Sequence, residues 1–184
     1  EEELCLKTHL RLKEKFKNLI TIIAPRHIQR SQNIKNLCSE YNLKSQILNN
    51  SENIQKNFDI IIINSFGLLS SYFKYAKSVF VGKSTLKKLE KVGGQNPIEA
   101  AKFGCRIYHG PYVYNFREIY EILEKNKISK KINGEEELSK NLSIDLENFE
   151  NKNNENSLLI KNLGKQTLSN TILDIKNFLK NDVQ

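Results

Sequence analysis

Phe58-Asp59-Ile60-Ile61-Ile62-Ile63-Asn64-Ser65-Phe66-Gly67 is the stretch that decides the fold. Four consecutive isoleucines, entered from an acidic residue and left through a polar segment ending in glycine, read as a short strand buried on both faces. Outward from it, residues 19–24 form a β-branched run ended by Pro25, and residues 78–81 form a third run closed by Gly82. Helical spacing occupies 28–41, 67–76, 96–104 and 115–126, and weaker strands are expected at 44–48, 105–108 and 129–132. Leu4, Leu6, Leu10, Leu12 and Phe16 recur among charges, which predicts an amphipathic helix over 1–17. Alternating strands and helices imply an α/β fold: a Rossmann-like parallel sheet with helices on both faces.

Two further helices are expected at about 134–147 and 157–180. The stretch between them, 148–156, is almost entirely Asn, Glu and Lys and reads as a loop too polar to bury. A chain of 184 residues is long enough for one core and short for two, so 1–184 reads as a single domain with a C-terminal helix.

Charge narrows the partners without choosing among them. The 29 Lys and Arg against 21 Asp and Glu give a net charge of +8, which favours nucleic acid, a phosphorylated small molecule or an acidic membrane surface. Many lysines lie among asparagines and isoleucines, so part of this basicity is compositional. Cys5, Cys38 and Cys105 are far apart with no CxxC pair, which argues for a reducing compartment. No apolar run approaches the ~18–20 residues of a membrane span. The chain opens on Glu1-Glu2-Glu3-Leu4 and contains no methionine, as expected of the middle of a longer protein.

Open parallel sheets bind ligands beyond the carboxyl ends of their strands, so the informative residues follow the strand runs directly. Those segments are Pro25-Arg26-His27, Asn64-Ser65-Phe66-Gly67, and Gly82-Lys83-Ser84-Thr85 followed by Gly93-Gly94-Gln95-Asn96-Pro97-Ile98-Glu99. Gly82-Lys83-Ser84 is not a P-loop, because the required glycine five residues earlier is Lys77; a turn with an exposed lysine suffices there.

Asn96, Pro97 and Glu99 have the spacing of a helix start with a capping box. The glycines ahead of them also permit close approach of backbone N–H groups to an anion, and a carboxylate at Glu99 can accept both hydroxyls of a ribose. Spacing leaves both readings open. Arg26 follows a buried strand and needs an anion, either a phosphate or a structural carboxylate. His27 reads as a packed loop residue before a catalyst, and the scatter of His9 and His109 argues against zinc. Gly110-Pro111-Tyr112-Val113-Tyr114-Asn115-Phe116 reads as a turn into a helix capped by Asn115.

Taken together, Ala24-Pro25-Arg26-His27 with Arg30, Ser65-Phe66-Gly67, Phe80-Val81-Gly82, Gly93-Gly94-Gln95-Asn96-Pro97-Ile98-Glu99-Ala100, and Gly110-Pro111 with Asn115-Phe116 resemble, in order and spacing, motifs of the donor domain of bacterial 3-deoxy-D-manno-octulosonic acid (Kdo) transferases. Glu1-Glu2-Glu3 resembles the end of that family's Ser-Thr-His-x-Gly-Glu-Glu segment.

The resemblance implies the C-terminal half of a GT-B glycosyltransferase of lipopolysaccharide biosynthesis, binding the donor CMP-Kdo. The N-terminal half, with the lipid A precursor and the catalytic base, would lie outside this chain, leaving no catalytic residue within it. Implied CMP contacts are Pro25, Arg26, Phe66, Gly67, Leu68, Asn96, Pro97, Ile98 and Glu99, with His27, Gly93, Gly94 and Asn115 as additional candidates.

Neither metal nor cofactor is expected. The cytoplasmic face of the inner membrane of a Gram-negative bacterium is the expected location, and Lys13, Lys15 and Lys17 read as a solvated face that would at most add attraction to anionic lipid. The chain departs from the family at Asn64-Ser65-Phe66-Gly67-Leu68-Leu69 for Asp-Thr-Met-Gly-Glu-Leu, at Gly82-Lys83-Ser84 for Gly-Gly-Ser, and at Gln95 for histidine. The rivals are a GT-B donor domain for a UDP-sugar and a basic nucleic-acid-binding module, the latter without any recognised motif; no nucleic-acid partner is expected.

Overall fold

The computed structural model describes residues 1–50, 52–148, 157–165, 169 and 171–173. Its helices are α1 (Glu2–Lys15), α2 (Ser31–Glu40), α3 (Leu69–Phe73), α4 (Ile98–Lys102), α5 (Arg117–Lys125) and α6 (Glu135–Glu147). Its strands are β1 (Thr21–Ile23), β2 (Ser45–Leu48), β3 (Ile60–Ile63), β4 (Ser78–Val81), β5 (Arg106–His109) and β6 (Ser129–Lys131). Short 3₁₀ turns at Ile28–Arg30, Lys87–Leu89 and Tyr114–Phe116 lie between them. Every expected strand is present. Residues 157–165, 169 and 171–173 are helical, while the rest of the expected C-terminal helix and 149–156 of the polar stretch lie outside the described residues.

All strand pairs are parallel, in two three-stranded sheets of order β1-β3-β2 and β4-β5-β6. The sequence predicts one continuous sheet; among the described residues no ladder joins β1 to β4. The helices bridge that division. From α1, Leu6 enters the core of the first sheet with Ile34, Cys38, Ile60 and Ile62, and Leu4 packs against Tyr108, Ile132 and Leu138 on the second.

The four isoleucines of β3 are buried because helices cover both faces. Ile60 and Ile62 meet α1 and α2, whereas Ile61 and Ile63 pack with Leu48, Phe58 and Tyr72. Each such side chain contributes roughly 1.5–3 kcal/mol by leaving water. In the second sheet Ile107 faces Ala100, Ala101, Tyr120 and Leu123 of α4 and α5, joined by Ile160, while Tyr108 faces Leu138 of α6.

Three helices stop in the same way. After α2, α4 and α5, the backbone turns left-handed at Asn42, Gly104 and Lys127 (φ 55°, 72° and 57°). At α4, Cys105 N–H bonds Ala100 O and Gly104 N–H bonds Ala101 O; Leu43 and Asn42, then Ile128 and Lys127, repeat the pair at the other two. This pair of hydrogen bonds satisfies two of the last carbonyls and feeds the chain into β2, β5 and β6. It also explains why α4 stops short of the expected end at 104: Gly104 closes it.

The second sheet is tied to α6 by one buried carboxylate. Asp145 accepts hydrogen bonds from Ser78 Oγ (2.6 Å), Tyr108 Oη (2.8 Å) and Arg106 Nη1 (3.0 Å). On the other side, His9 Nδ1 lies 2.9 Å from Thr21 Oγ1 and fixes α1 on β1.

Candidate functional site

The loops after β1, β3, β4 and β5 carry the residues singled out from the sequence. Neighbouring parallel strands place the ends of β1 and β3 side by side, and Ser31 Oγ donates to Asn64 Oδ1 (3.1 Å) between the two loops. Asn64 also donates from Nδ2 to Asn49 Oδ1 (2.7 Å). The loops holding Phe66 and Asn96 open into α3 and α4, which pack on each other through Phe73, Ala100, Ala101 and Phe103. The segments 25–26, 64–68 and 96–99 therefore sit on one connected frame.

Within that frame several side chains are left without internal partners. Arg26 is exposed and makes no ion pair among the described residues, so the structural-carboxylate reading and the premise of a buried charge both fall. The neighbouring Arg30 is the one that pairs, with Glu2 Oε1 at 3.2 Å. Phe66 is 70% exposed, Gly67 and Leu68 are open to solvent, and Ser65 Oγ is buried with no hydrogen-bond partner. His27 is exposed at the start of the 3₁₀ turn at 28–30, not packed as expected.

At the start of α4 the capping half of the sequence reading is realised only in part. Asn96 Oδ1 accepts the N–H of Ile98 (2.9 Å), the bond of a side-chain N-cap. Glu99 does not close the capping box: its carboxylate is exposed and makes no hydrogen bond or ion pair among the described residues. Pro97 is buried and Ile98 half-buried, so their contribution here is the shape of the turn. A helix of five residues also carries less macrodipole than the nine-residue helix expected at 96–104.

The paired glycines have a different role from the one their spacing suggested. A Cβ on Gly93 would lie 2.3 Å from Tyr112 O, and one on Gly110 would lie 2.2 Å from Ser84 O. The loops after β4 and β5 are thus packed backbone against backbone. Gly94 N–H is already donated to Lys83 O (2.6 Å), so it does not face an anion. Asn115 caps no helix; its N–H bonds Gly93 O (3.0 Å) and its Nδ2 bonds Val92 O (2.9 Å), clamping the same loop. Tyr120 Oη holds Gln95 O at 2.9 Å from behind.

The turn Gly82-Lys83-Ser84-Thr85 is likewise filled from within. Its three successive amides, of Lys83 (2.5 Å), Ser84 (2.8 Å) and Thr85 (2.8 Å), and the Thr85 hydroxyl (2.8 Å) all donate to the Glu1 carboxylate. Burial pushes the Glu1 carboxyl up, but these donors outweigh it and hold it below its ordinary value of 4.5. Its contribution to stability is complete above that value and is lost as the pH falls through the lowered one.

The sequence carried two separate signals, the resemblance of Glu1-Glu2-Glu3 to the end of a family segment and a Gly-Lys-Ser-Thr turn directly after a strand, but nothing in it joined Glu1 to that turn. His109, buried beneath these loops, has Nδ1 2.8 Å from Gly110 O and Nε2 3.0 Å from Glu124; burial lowers its basicity.

A surface groove lies elsewhere, between α1 and α6, where it is lined by Arg11, Lys15, Glu136 and Lys140. Ion pairs of Arg11 with Glu135 and of Lys15 with Glu147 join these helices, and Lys13 pairs with Asp59. Lys13 and Lys15 are therefore engaged within the protein. Among the described residues no His, Cys, Asp and Glu cluster is arranged to hold a metal, and no helix is long and apolar enough to cross a membrane.

A Kdo transferase of Aquifex aeolicus is 27% identical over 138 residues, which cover 75% of this chain and 36% of that protein. That of Rickettsia prowazekii is 31% identical over 189 residues, covering 97% and 39%. The chain is a relative of the Kdo transferases. It spans little more than a third of the length of these two relatives. No protein-family profile matches it. Its fold is that of the crystal structure of the C-terminal CMP-Kdo binding domain of WaaA from Acinetobacter baumannii, with a TM-score of 0.72 and 20% identity over 90% of this chain and 82% of that one.

The departures from Kdo transferase motifs acquire a geometry. Lys83, standing for a glycine of the family motif, adopts φ 59°, a left-handed conformation that costs a side-chain-bearing residue roughly 1–2 kcal/mol. Lys83→Gly is expected to raise stability by roughly 0.5–1 kcal/mol once the greater freedom of unfolded glycine is subtracted. Thermal melting of the two proteins checks it. Asn64, standing for an aspartate, uses its amide to donate to Asn49, a bond a carboxylate could not make.

Proposed function

We propose that this chain is the donor-binding half of a glycosyltransferase that moves Kdo from CMP-Kdo to a lipid A precursor in lipopolysaccharide biosynthesis. The observation that carries the reading is a set of unspent groups on one frame of loops: the Glu99 carboxylate, the Arg26 guanidinium and the buried Ser65 hydroxyl. Each falls on, or beside, a position that the family resemblance assigns to CMP.

In this reading Glu99 accepts the two ribose hydroxyls, because an ionised carboxylate takes two hydrogen bonds in parallel. Arg26 faces the phosphate or the cytosine, and the exposed ring of Phe66 with Gly67 and Leu68 covers the base. With α4 so short and Gly94 N–H already used, positive charge for the departing CMP phosphate comes chiefly from Arg26. Asn96, Pro97 and Ile98 shape the turn that presents Glu99.

The transfer itself is an inverting displacement without a metal ion. An acceptor hydroxyl, deprotonated by a carboxylate outside this chain, attacks the anomeric carbon while the donor half holds the leaving nucleotide in line. The chain alone then binds CMP-Kdo without turning it over. The acceptor and the cytoplasmic face of the inner membrane are engaged through the remainder of the protein.

Calorimetric titration with CMP and UDP tests the donor. CMP is expected to bind at least tenfold more tightly, a difference of about 1.4 kcal/mol. A preference for UDP would overturn the donor assignment, and weak, steeply salt-dependent binding to any polyanion without CMP binding would point to a nucleic-acid module instead.

A further inference from the structure

We infer that Glu1 is a positioning residue for the donor site: its carboxylate locks the turn at 82–85, and that turn sets the segment presenting Asn96 and Glu99. The inference rests on the donor-binding reading for its functional consequence, but its structural part stands on contacts alone.

Glu1 opens α1 and reaches across more than eighty positions of sequence to the end of β4. Three consecutive amides and one hydroxyl converge on its two oxygens, with Lys83 N–H on Oε2 and the other three donors on Oε1. Successive amides in a turn with one left-handed residue form a concavity that favours an anion. Here the protein supplies that anion itself. Glu1 is half-buried, with a side chain 18% exposed, so water does not replace it freely if it is removed.

The other side of the turn passes the position on. Lys83 O accepts Gly94 N–H (2.6 Å), Ser84 O accepts Tyr112 N–H (2.8 Å), and Ser84 Oγ accepts Gly110 N–H (2.9 Å) while donating to Val81 O (2.8 Å). Gly93 is pressed between the carbonyls of Leu89, Lys83 and Tyr112, and Gly94 against the backbone of Val113. A packed backbone has no slack, so a shift of the turn moves Gly93 and Gly94. Gln95 and Asn96 follow directly in the chain, and Glu99 lies one helical turn beyond.

Without the carboxylate, three amides point into a half-buried space and Lys83 loses the bonds that hold its left-handed backbone. The turn then relaxes. Glu1 thus acts on the nucleotide through the loop and touches no ligand.

The test uses the 184-residue chain and the variants Glu1→Ala and Glu1→Gln. CMP affinity is measured by calorimetry, folding by thermal melting, and the loop by amide resonances in nitrogen-15 spectra. For Glu1→Ala the expected results are a cooperative melt, a roughly five- to tenfold loss of CMP affinity, and shifted amides at 83–85 and at 93–99. Formate at tens of millimolar, an anion small enough for the vacated turn, should restore part of the affinity, whereas chloride at equal ionic strength should not.

Unchanged CMP affinity in a folded variant would overturn the inference, as would lost affinity with the 93–99 amides unmoved. Equal recovery with chloride would show simple screening and also overturn it. If Glu1→Ala does not fold, Glu1→Gln, which keeps the shape and one acceptor, carries the same comparison. Failure of wild-type protein to bind CMP would remove the donor reading, and the amide shifts at 93–99 would still decide whether Glu1 sets the loop.

Discussion

Replacing Glu99 with glutamine should lower CMP affinity roughly ten- to a hundredfold, or about 1.5–3 kcal/mol, and leave the melting temperature unchanged. The carboxylate is exposed and bonds nothing in the protein, so its loss removes no internal contact. The capping bond belongs to Asn96, whose oxygen holds Ile98 N–H and is untouched by the change. What glutamine lacks is the second charged acceptor, and two hydroxyls on one ribose require both. Calorimetry with CMP and 2′-deoxy-CMP on the two proteins assigns the partner. The effect of the substitution should largely vanish when the 2′-hydroxyl is already absent, because coupled partners are not additive. Equal affinity of the two proteins for CMP would remove Glu99 from the ribose.

Asp145→Ala should have the opposite profile, with a large loss of stability and little direct effect on the nucleotide. The side chain is buried and receives Ser78 Oγ, Tyr108 Oη and Arg106 Nη1, drawn from β4 and β5 onto α6. Its removal leaves the buried Tyr108 hydroxyl without its acceptor and the Arg106 guanidinium without its ion. Arg106 is half-exposed and regains water, so the expected cost is about 2–4 kcal/mol rather than the larger figure for a fully buried pair. For a chain of this size that lowers the melting temperature by roughly 5–15 °C. Asp145→Asn, which keeps one acceptor, should lose less. Denaturant titration of the three proteins checks the order, and an unchanged midpoint in Asp145→Ala would refute the hub.

The two residues mark the limits of what motif reading reached. The helix start ahead of Glu99 was legible because Asn96 and Pro97 define it by local rules of capping and fixed φ, and spacing made Glu99 a candidate for cap or ligand. The remaining ambiguity, cap or ligand, was settled against the box only by where the carboxylate points in three dimensions. Asp145 had no signal at all. It is one acidic residue in an amphipathic helix, and nothing in positions 135–147 says that Ser78, Arg106 and Tyr108 will meet it.

Segments whose geometry is local were fixed by the amino-acid order itself. The four isoleucines at 60–63 read as a strand covered on both faces, because a β-branched run of four bounded by Asp59 and Asn64 is too short for a buried helix and leaves no polar face for water. Alternation of such runs with helical spacing demanded parallel pairing, since short connections cannot return a strand in the same direction without a crossover. The family resemblance likewise rested on residues close together in the chain.

Tertiary structure alone decided the rest. It divided the strands into β1-β3-β2 and β4-β5-β6, filled the turn at 82–85 with Glu1, and spent Gly93, Gly94 and Asn115 on holding loops together. Glycine in sequence says only that a side chain is absent. Whether the space admits an anion or another backbone depends on what the crossovers bring alongside, and a partner eighty residues away leaves no trace in local spacing.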